Sequence, residues 1–190
     1  VTYENVQARY RTYTLMNLAN QEDAIVIGTS DMSEIALGWS TFNGDQMAMY
    51  GINSGITKTV IQALCKYYQT LFPEVADTLV DILETPISPE LSSEDQKTED
   101  VIGKYEINDF ILYHFLVRGA SPNKIVFLIQ KVFDLSKEEA ERYTDYFHHR
   151  FFTQQYKRLT GPEGVKILPI SLSPRTEIKL NGDIYYPSRN

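Results

Sequence analysis

The sequence predicts an α/β fold that is mostly helical along this chain. Two observations carry the prediction. A helical stripe over residues 6–20 runs straight into AIVIGT (24–29), a short apolar, β-branched segment ending in Gly-Thr, which reads as a buried strand of a parallel sheet. Beyond it the chain reads as a succession of helices, with one further candidate strand at VKILPISL (165–172). One strand makes no sheet. Either the chain is all-α with an odd insertion, or partner strands precede Val1. A start without Met, on the entry to a helix, favours the second.

The elements follow in order. Asn5 is a plausible N-cap for the first helix, with Ala8, Leu15, Met16 and Ala19 on one face. GTSDMSEIALGWSTFNGD (28–45) follows the strand's C-terminal end, where open α/β sheets hold their ligands. Lys58 to Leu71 is a second helix with Val60, Ile61, Leu64, Tyr68 and Leu71 inward. Pro73 opens a third, with Val75, Leu79, Ile82 and Leu83 as its stripe. TPISPELSSEDQKTED (85–100) is a polar loop of functional length; with the residues up to 106 it is expected to be a lid, ordered only with substrate. Ile107, Phe110, Ile111 and His114 mark another helix. Ser121-Pro122 starts the next, carrying Ile125, Leu128, Ile129 and Val132. Ser136 and Glu139 form a capping box for a long helix with Ala140, Tyr143, Phe147 and Phe151 inward.

Bulk properties narrow the function. The chain has 190 residues and a net charge of −7. That argues against a nucleic-acid or anionic-membrane partner, although a local anion site remains open. Cys65 is the only cysteine, so no internal disulfide forms and a reducing, cytoplasmic location is expected. No apolar run is long enough to span a bilayer.

The candidate chemistry carries two readings at most positions. Asp31 and Glu34, three apart after the strand, are either Mg²⁺ ligands or first-turn acids complementing a helix dipole; spacing alone favours the dipole. Lys58 opens a helix in SGITKT (54–59), where it either adds charge to a phosphate site or is simply solvated. No P-loop occurs. Trp39 and Phe42 either stack on a flat ring or belong to the core. His114, on an apolar face, reads as a core histidine. The adjacent His148-His149 pair lacks helical metal spacing. Cys65 reads as a structural thiol. No Ser-His-Asp or Cys-His arrangement stands out.

Taken together, ENVQAR (4–9), IGTSDMSEIALGW (27–39), TFNGD (41–45), ITKT (56–59), TPISPEL (85–91), QKTEDVIGKYE (96–106) and RFFTQQYKR (150–158) resemble the consecutive segments of NAD⁺ synthetase. FLVRGASPNKI and SLSPR look more like the large bacterial glutamine-dependent form. The resemblance implies a Rossmann-like α/β fold of the ATP-pyrophosphatase (adenine nucleotide alpha hydrolase) kind, truncated here. It implies ATP-dependent amidation of deamido-NAD⁺ to NAD⁺ through an adenylated nicotinate, with Mg²⁺. Ammonia would be free or come from glutamine through a separate amidase domain. It further implies a homodimeric core, with the helix from Asn5 and the segment around Lys58 as candidate surfaces.

By position, the resemblance places Glu34 at Mg²⁺ and substrate, and Thr29, Lys58 and Ser88 at ATP. Asn5, Arg9, Trp39, Ser40, Thr41, Phe42 and Lys157 fall at deamido-NAD⁺. Phe42 stands where the ammonia-only form has lysine, so that charge contact is missing. The family's S-G-G-x-D-S pyrophosphate loop does not occur in these residues. The chain is therefore expected to be the C-terminal part of the synthetase domain, inactive alone. No side chain is expected to act as acid, base or nucleophile, because the substrates react with one another. The other readings are a related ATP-pyrophosphatase amidoligase, or a non-catalytic binding module if the chain is complete.

Overall fold

In a computed structural model the described residues are 2–85 and 98–186. Helix α1 (Thr2–Gln21) leads through a tight turn at Asp23 into strand β1 (Ile27–Gly28). After α2 (Met32–Leu37), strand β2 (Tyr50–Gly51) pairs with β1 in parallel, Ile27 opposite Tyr50 and Gly28 opposite Gly51. The amide of Met49 donates to Val26 O and that of Ile52 to Gly28 O, extending the ladder by one bond at each end. Gly51 also bridges Gly164. Only small residues permit this packing: a Cβ on Gly28 would stand 2.7 Å from that of Ala48.

Helices α3 (Lys58–Leu71) and α4 (Ala76–Glu84) form a hairpin through a 3₁₀ turn at Pro73–Val75. Then come α5 (Thr98–Ile102), α6 (Tyr105–Leu112) with a π turn over Tyr113–Val117, α7 (Pro122–Phe133), α8 (Lys137–Thr153) and α9 (Gln155–Leu159). The core lies among α2, α6, α7 and α8. Met32 and Leu37 pack there with Ile111, Ile125, Ile129, Phe147 and Phe151. The Ser121 cap and the Ser136–Glu139 capping box both form.

Several expectations are corrected. Asn5 sits inside α1, which starts at Thr2, so it is not the N-cap. Of the predicted α1 stripe only Ala8 and Ala19 are buried; Leu15 is exposed. The strand predicted over 24–29 shrinks to two residues, because among the described residues β1 has one partner strand. The predicted strand at 165–172 does not form. The apolar stripe of α3 is not inward: Leu64, Tyr68 and Leu71 are exposed, as are Val75 and Ile82 beside α4. Amphipathic periodicity announces a face to be covered without saying what covers it. Val132 is likewise exposed. The core histidine is His148, whose Nδ1 donates to Thr144 O (2.7 Å), whereas His114 is half-buried. Residues 98–106 do not behave as a lid, since Thr98, Ile102 and Tyr105 are buried. The rest of the proposed lid, with Ser88, lies outside the described residues.

Candidate functional site

The carboxyl end of β1 feeds directly into α2. Asp31 is its N-cap, and its Oδ1 accepts from the Glu34 amide (3.0 Å) while Glu34 Oε2 accepts from the Asp31 amide (3.3 Å). This capping box confirms the helix-end reading of Asp31. It also aims both carboxylates at α3. Lys58 Nζ reaches Asp31 Oδ2 at 2.7 Å and Glu34 Oε1 at 2.8 Å, and lies 5.4 Å from the centre of the Tyr105 ring.

One ammonium cannot neutralise two carboxylates in a half-buried site. Asp31 is 1% exposed. Burial, and then the Asp31 charge, push the Glu34 carboxyl above its usual range against the opposing pull of Lys58. Burial pulls the Lys58 ammonium down, but the two carboxylates outweigh it and the net displacement is upward. Lys58 is thus held charged. An ammonium has three donors; with two engaged by Asp31 and Glu34, one remains for an anion.

At the start of α3 the first two amides are not free for a phosphate. Thr57 at the N-cap supplies no side-chain bond. The Lys58 amide donates to Ser33 Oγ (2.8 Å) and the Thr59 amide to Asp109 Oδ2 (3.0 Å). The Lys58 side chain, with one donor unengaged, is the group here that reaches for an anion. Ser33 and Asp109 were not found by sequence reading, because no spacing links residues 76 apart.

At its other end α2 closes on Gly38, in the left-handed region at φ 56°. Three cations meet its last carbonyls. Arg158 donates to Ile35 O (3.2 Å) and Ala36 O (3.0 Å), Arg150 to Leu37 O (2.9 Å) and Gly38 O (3.1 Å), and Lys157 to Gly38 O (2.8 Å) and Ser40 O (2.7 Å). Cations complement a helix C-terminus. Burial, helped by the Arg150 charge, pulls the Lys157 ammonium down to about 8, and burial alone pulls the Arg158 guanidinium down to about 10.

The 39–46 turn lies between this end and α1. Asn5 Oδ1 accepts from Thr41 Oγ1 (3.0 Å), Arg9 Nε donates to Phe42 O (3.2 Å), and Thr12 Oγ1 donates to Gly44 O (2.7 Å). Phe42 packs on Tyr156 with ring centres 5.4 Å apart. Trp39 packs against the core with the Arg150 guanidinium 5.7 Å from its ring centre. Gln46 ties the turn to α9 by donating to Thr160 Oγ1 (2.7 Å).

The predicted residues therefore fall into three groups: Glu34 with Lys58; Asn5 and Arg9 with Thr41 and Phe42; Ser40 with Lys157. Thr29 stands at the strand end, its carbonyl accepting from Asn53 Nδ2 (3.4 Å). A cleft runs between the first and third groups, lined by Gly28, Ser30, Glu34, Ser40 and Lys157 and closed opposite by residues 161–165 and 171–174.

Comparison with known proteins decides the family. The NAD synthase family model matches residues 1–159. The chain belongs to the NAD synthase family. Among curated relatives, the glutamine-dependent NAD(+) synthetase of Mycobacterium leprae is 38% identical over 97% of this chain and 31% of its own length. That of Acinetobacter baylyi is 34% identical over 87% of this chain and 29% of its own. The chain thus spans about a third of the length of the curated relatives it matches. The crystal structure of a glutamine-dependent NAD(+) synthetase from Cytophaga hutchinsonii superposes with a TM-score of 0.72 at 20% identity, covering 95% of this chain and 28% of that one. An NMN synthetase from Francisella tularensis gives 0.51 at 26% identity, covering 78% and 52%. The fold is the Rossmann-like α/β fold of NAD synthetases, represented here by two short strands and the helices around them.

Of the two carboxylates beside Lys58, Glu34 is the more exposed, its side chain 23% accessible against 1% for Asp31. Each of its oxygens accepts one bond, from Lys58 or from the Asp31 amide, and keeps lone-pair capacity. Mg²⁺ binds through one or two carboxylates together with substrate phosphates and water.

Proposed function

We propose that this chain is the C-terminal part of an NAD⁺ synthetase domain. It would supply one wall of a site in which ATP activates the nicotinate carboxylate of deamido-NAD⁺ and ammonia, free or drawn from glutamine, displaces AMP to give NAD⁺. The observation that carries this reading is Lys58, held charged beside Glu34 at the carboxyl end of β1, with one donor left for a phosphate oxygen. Glu34 would hold a Mg²⁺ ion, whose charge would offset that of the phosphates. The chain's own groups do the rest by position. Thr29 and Lys58 face ATP, with Ser88 assigned to ATP by resemblance. Lys157 and Ser40 stand at the far end of α2. Trp39, Thr41 and Phe42 form the turn beside the nicotinate, and Asn5 and Arg9 brace that turn from α1. The free donor of Lys58 would favour a transition state rich in phosphate charge, and no side chain need act as nucleophile.

A cytoplasmic location and a homodimeric core belong to the same reading. No helix among the described residues is long and apolar enough to cross a membrane.

The test uses the intact protein. Deamido-NAD⁺ with ATP at a hundredfold excess over Kd is expected to stabilise it by about 2.7 kcal/mol, and Lys58→Ala and Glu34→Ala to remove most of that gain together with NAD⁺ formation. Chromatographic assay of the isolated chain is expected to show no NAD⁺ above a Glu34→Ala control. The likeness to an NMN synthetase motivates a second reading, amidation of the corresponding mononucleotide. Stabilisation by that mononucleotide and not by the dinucleotide decides for it.

A further inference from the structure

We propose that Asp109 is a positioning residue for Lys58: through Ser33 and Thr59 it locks the start of α3 against the start of α2, so that the Lys58 ammonium lands between Asp31 and Glu34. The placement is seen directly; its consequence for catalysis rests on the ATP reading of Lys58 above.

Three donors converge on one carboxylate. Ser33 Oγ donates to Asp109 Oδ1, while the Thr59 amide (3.0 Å) and Thr59 Oγ1 (2.7 Å) donate to Oδ2. Ser33 Oγ in turn accepts from the Lys58 amide (2.8 Å). The first two amides of α3 are thereby capped by α2 and α6, in place of the cap that Thr57 does not supply. Asp109 is 7% exposed and forms no ion pair among the described residues. A buried carboxylate costs desolvation unless donors compensate it. Here the compensation comes from donors that all belong to the two helix starts. A neutral amide offers only one acceptor oxygen and a donor in place of the other, so asparagine cannot serve all three donors. The backbone of Lys58 is fixed within this clamp, and its side chain reaches the two carboxylates of α2 from there.

The experiment compares Asp109→Asn with wild type in the intact protein. Competitive amine labelling, read by peptide mass spectrometry, gives the modification of Lys58 relative to Lys66, which is exposed on the same helix. ATP affinity is measured alongside, with Lys58→Ala as reference. Asp109→Asn is expected to raise the Lys58/Lys66 ratio about tenfold, the factor expected when a buried charge-assisted hydrogen bond is lost, and to weaken ATP binding toward the Lys58→Ala level. Thr59→Val, which removes one donor, should give a smaller rise and serves if Asp109→Asn does not fold. A ratio equal to wild type in the folded variants overturns the proposal. So does normal ATP affinity in Asp109→Asn beside a weakened Lys58→Ala. A raised ratio with ATP affinity unchanged in Lys58→Ala supports the positioning role and removes the ATP reading instead.

Discussion

At the scale of the residue, Lys157 is the group whose environment makes the plainest prediction. Its ammonium donates to Gly38 O and Ser40 O, and burial with the Arg150 charge brings it down to about 8. The folded protein therefore holds fewer protons than the unfolded chain between about 8 and the ordinary lysine value, so this residue makes stability rise with pH across that window. In the dinucleotide-binding role proposed for it, the effect runs the other way. Above about 8 the charge is lost, and with it the attraction for an anionic dinucleotide. Deamido-NAD⁺ affinity, followed by calorimetry, is expected to fall as pH rises through about 8, and Lys157→Met is expected to be weaker and flat over that range. Lys157 entered the candidate site only through resemblance, because nothing in QQYKR distinguishes it from a solvated lysine. Asp31 was legible from sequence alone, since acids in a first helical turn follow a local rule.

At the scale of the element, α2 is six residues long, too short to persist through its own hydrogen bonds. Its last turn depends on Arg158, whose guanidinium also donates to Phe151 O and Gln155 Oε1. Arg158→Met would leave several buried carbonyls without donors. A loss of about 3 kcal/mol is expected, measured as a fall in thermal midpoint. The matching control is Lys137→Ala, which breaks an exposed ion pair to Glu141 at 3.8 Å and should change stability by about 1 kcal/mol or less. Helices with local signals were legible: α3 has its predicted ends, and α8 begins at its predicted capping box. What joins them was not. Asp109 with Thr59, or Arg158 with Ala36, are tertiary meetings that no period of 3.6 or 2 encodes.

At the scale of the whole molecule, α1 and α3 each expose large apolar residues. Tyr3, Tyr10 and Tyr13 stand out on the first helix, Leu64, Tyr67 and Tyr68 on the second. Where such residues join into a patch, they mark an interface. The homodimer proposed above would cover it in part. In the intact protein, Leu64→Glu with Tyr68→Glu is expected to lower the sedimenting mass from dimer toward monomer while leaving the Lys58–Glu34 pair in place. An unchanged mass would assign this face to contacts within one subunit.

The long-range anchoring of α2 has a consequence in time. Its start is fastened by residues of α3 and α6, and its end by arginines 112 to 123 positions further on. During synthesis the N-terminal parts emerge first, so the β1 end, Glu34 and the Trp39 turn leave the ribosome long before Arg150 and Arg158 exist to hold them. The candidate site is therefore a late product of folding. A chain interrupted between Phe42 and Arg158 would carry most of the proposed ligand-facing residues in sequence and yet lack the arrangement that makes them a site.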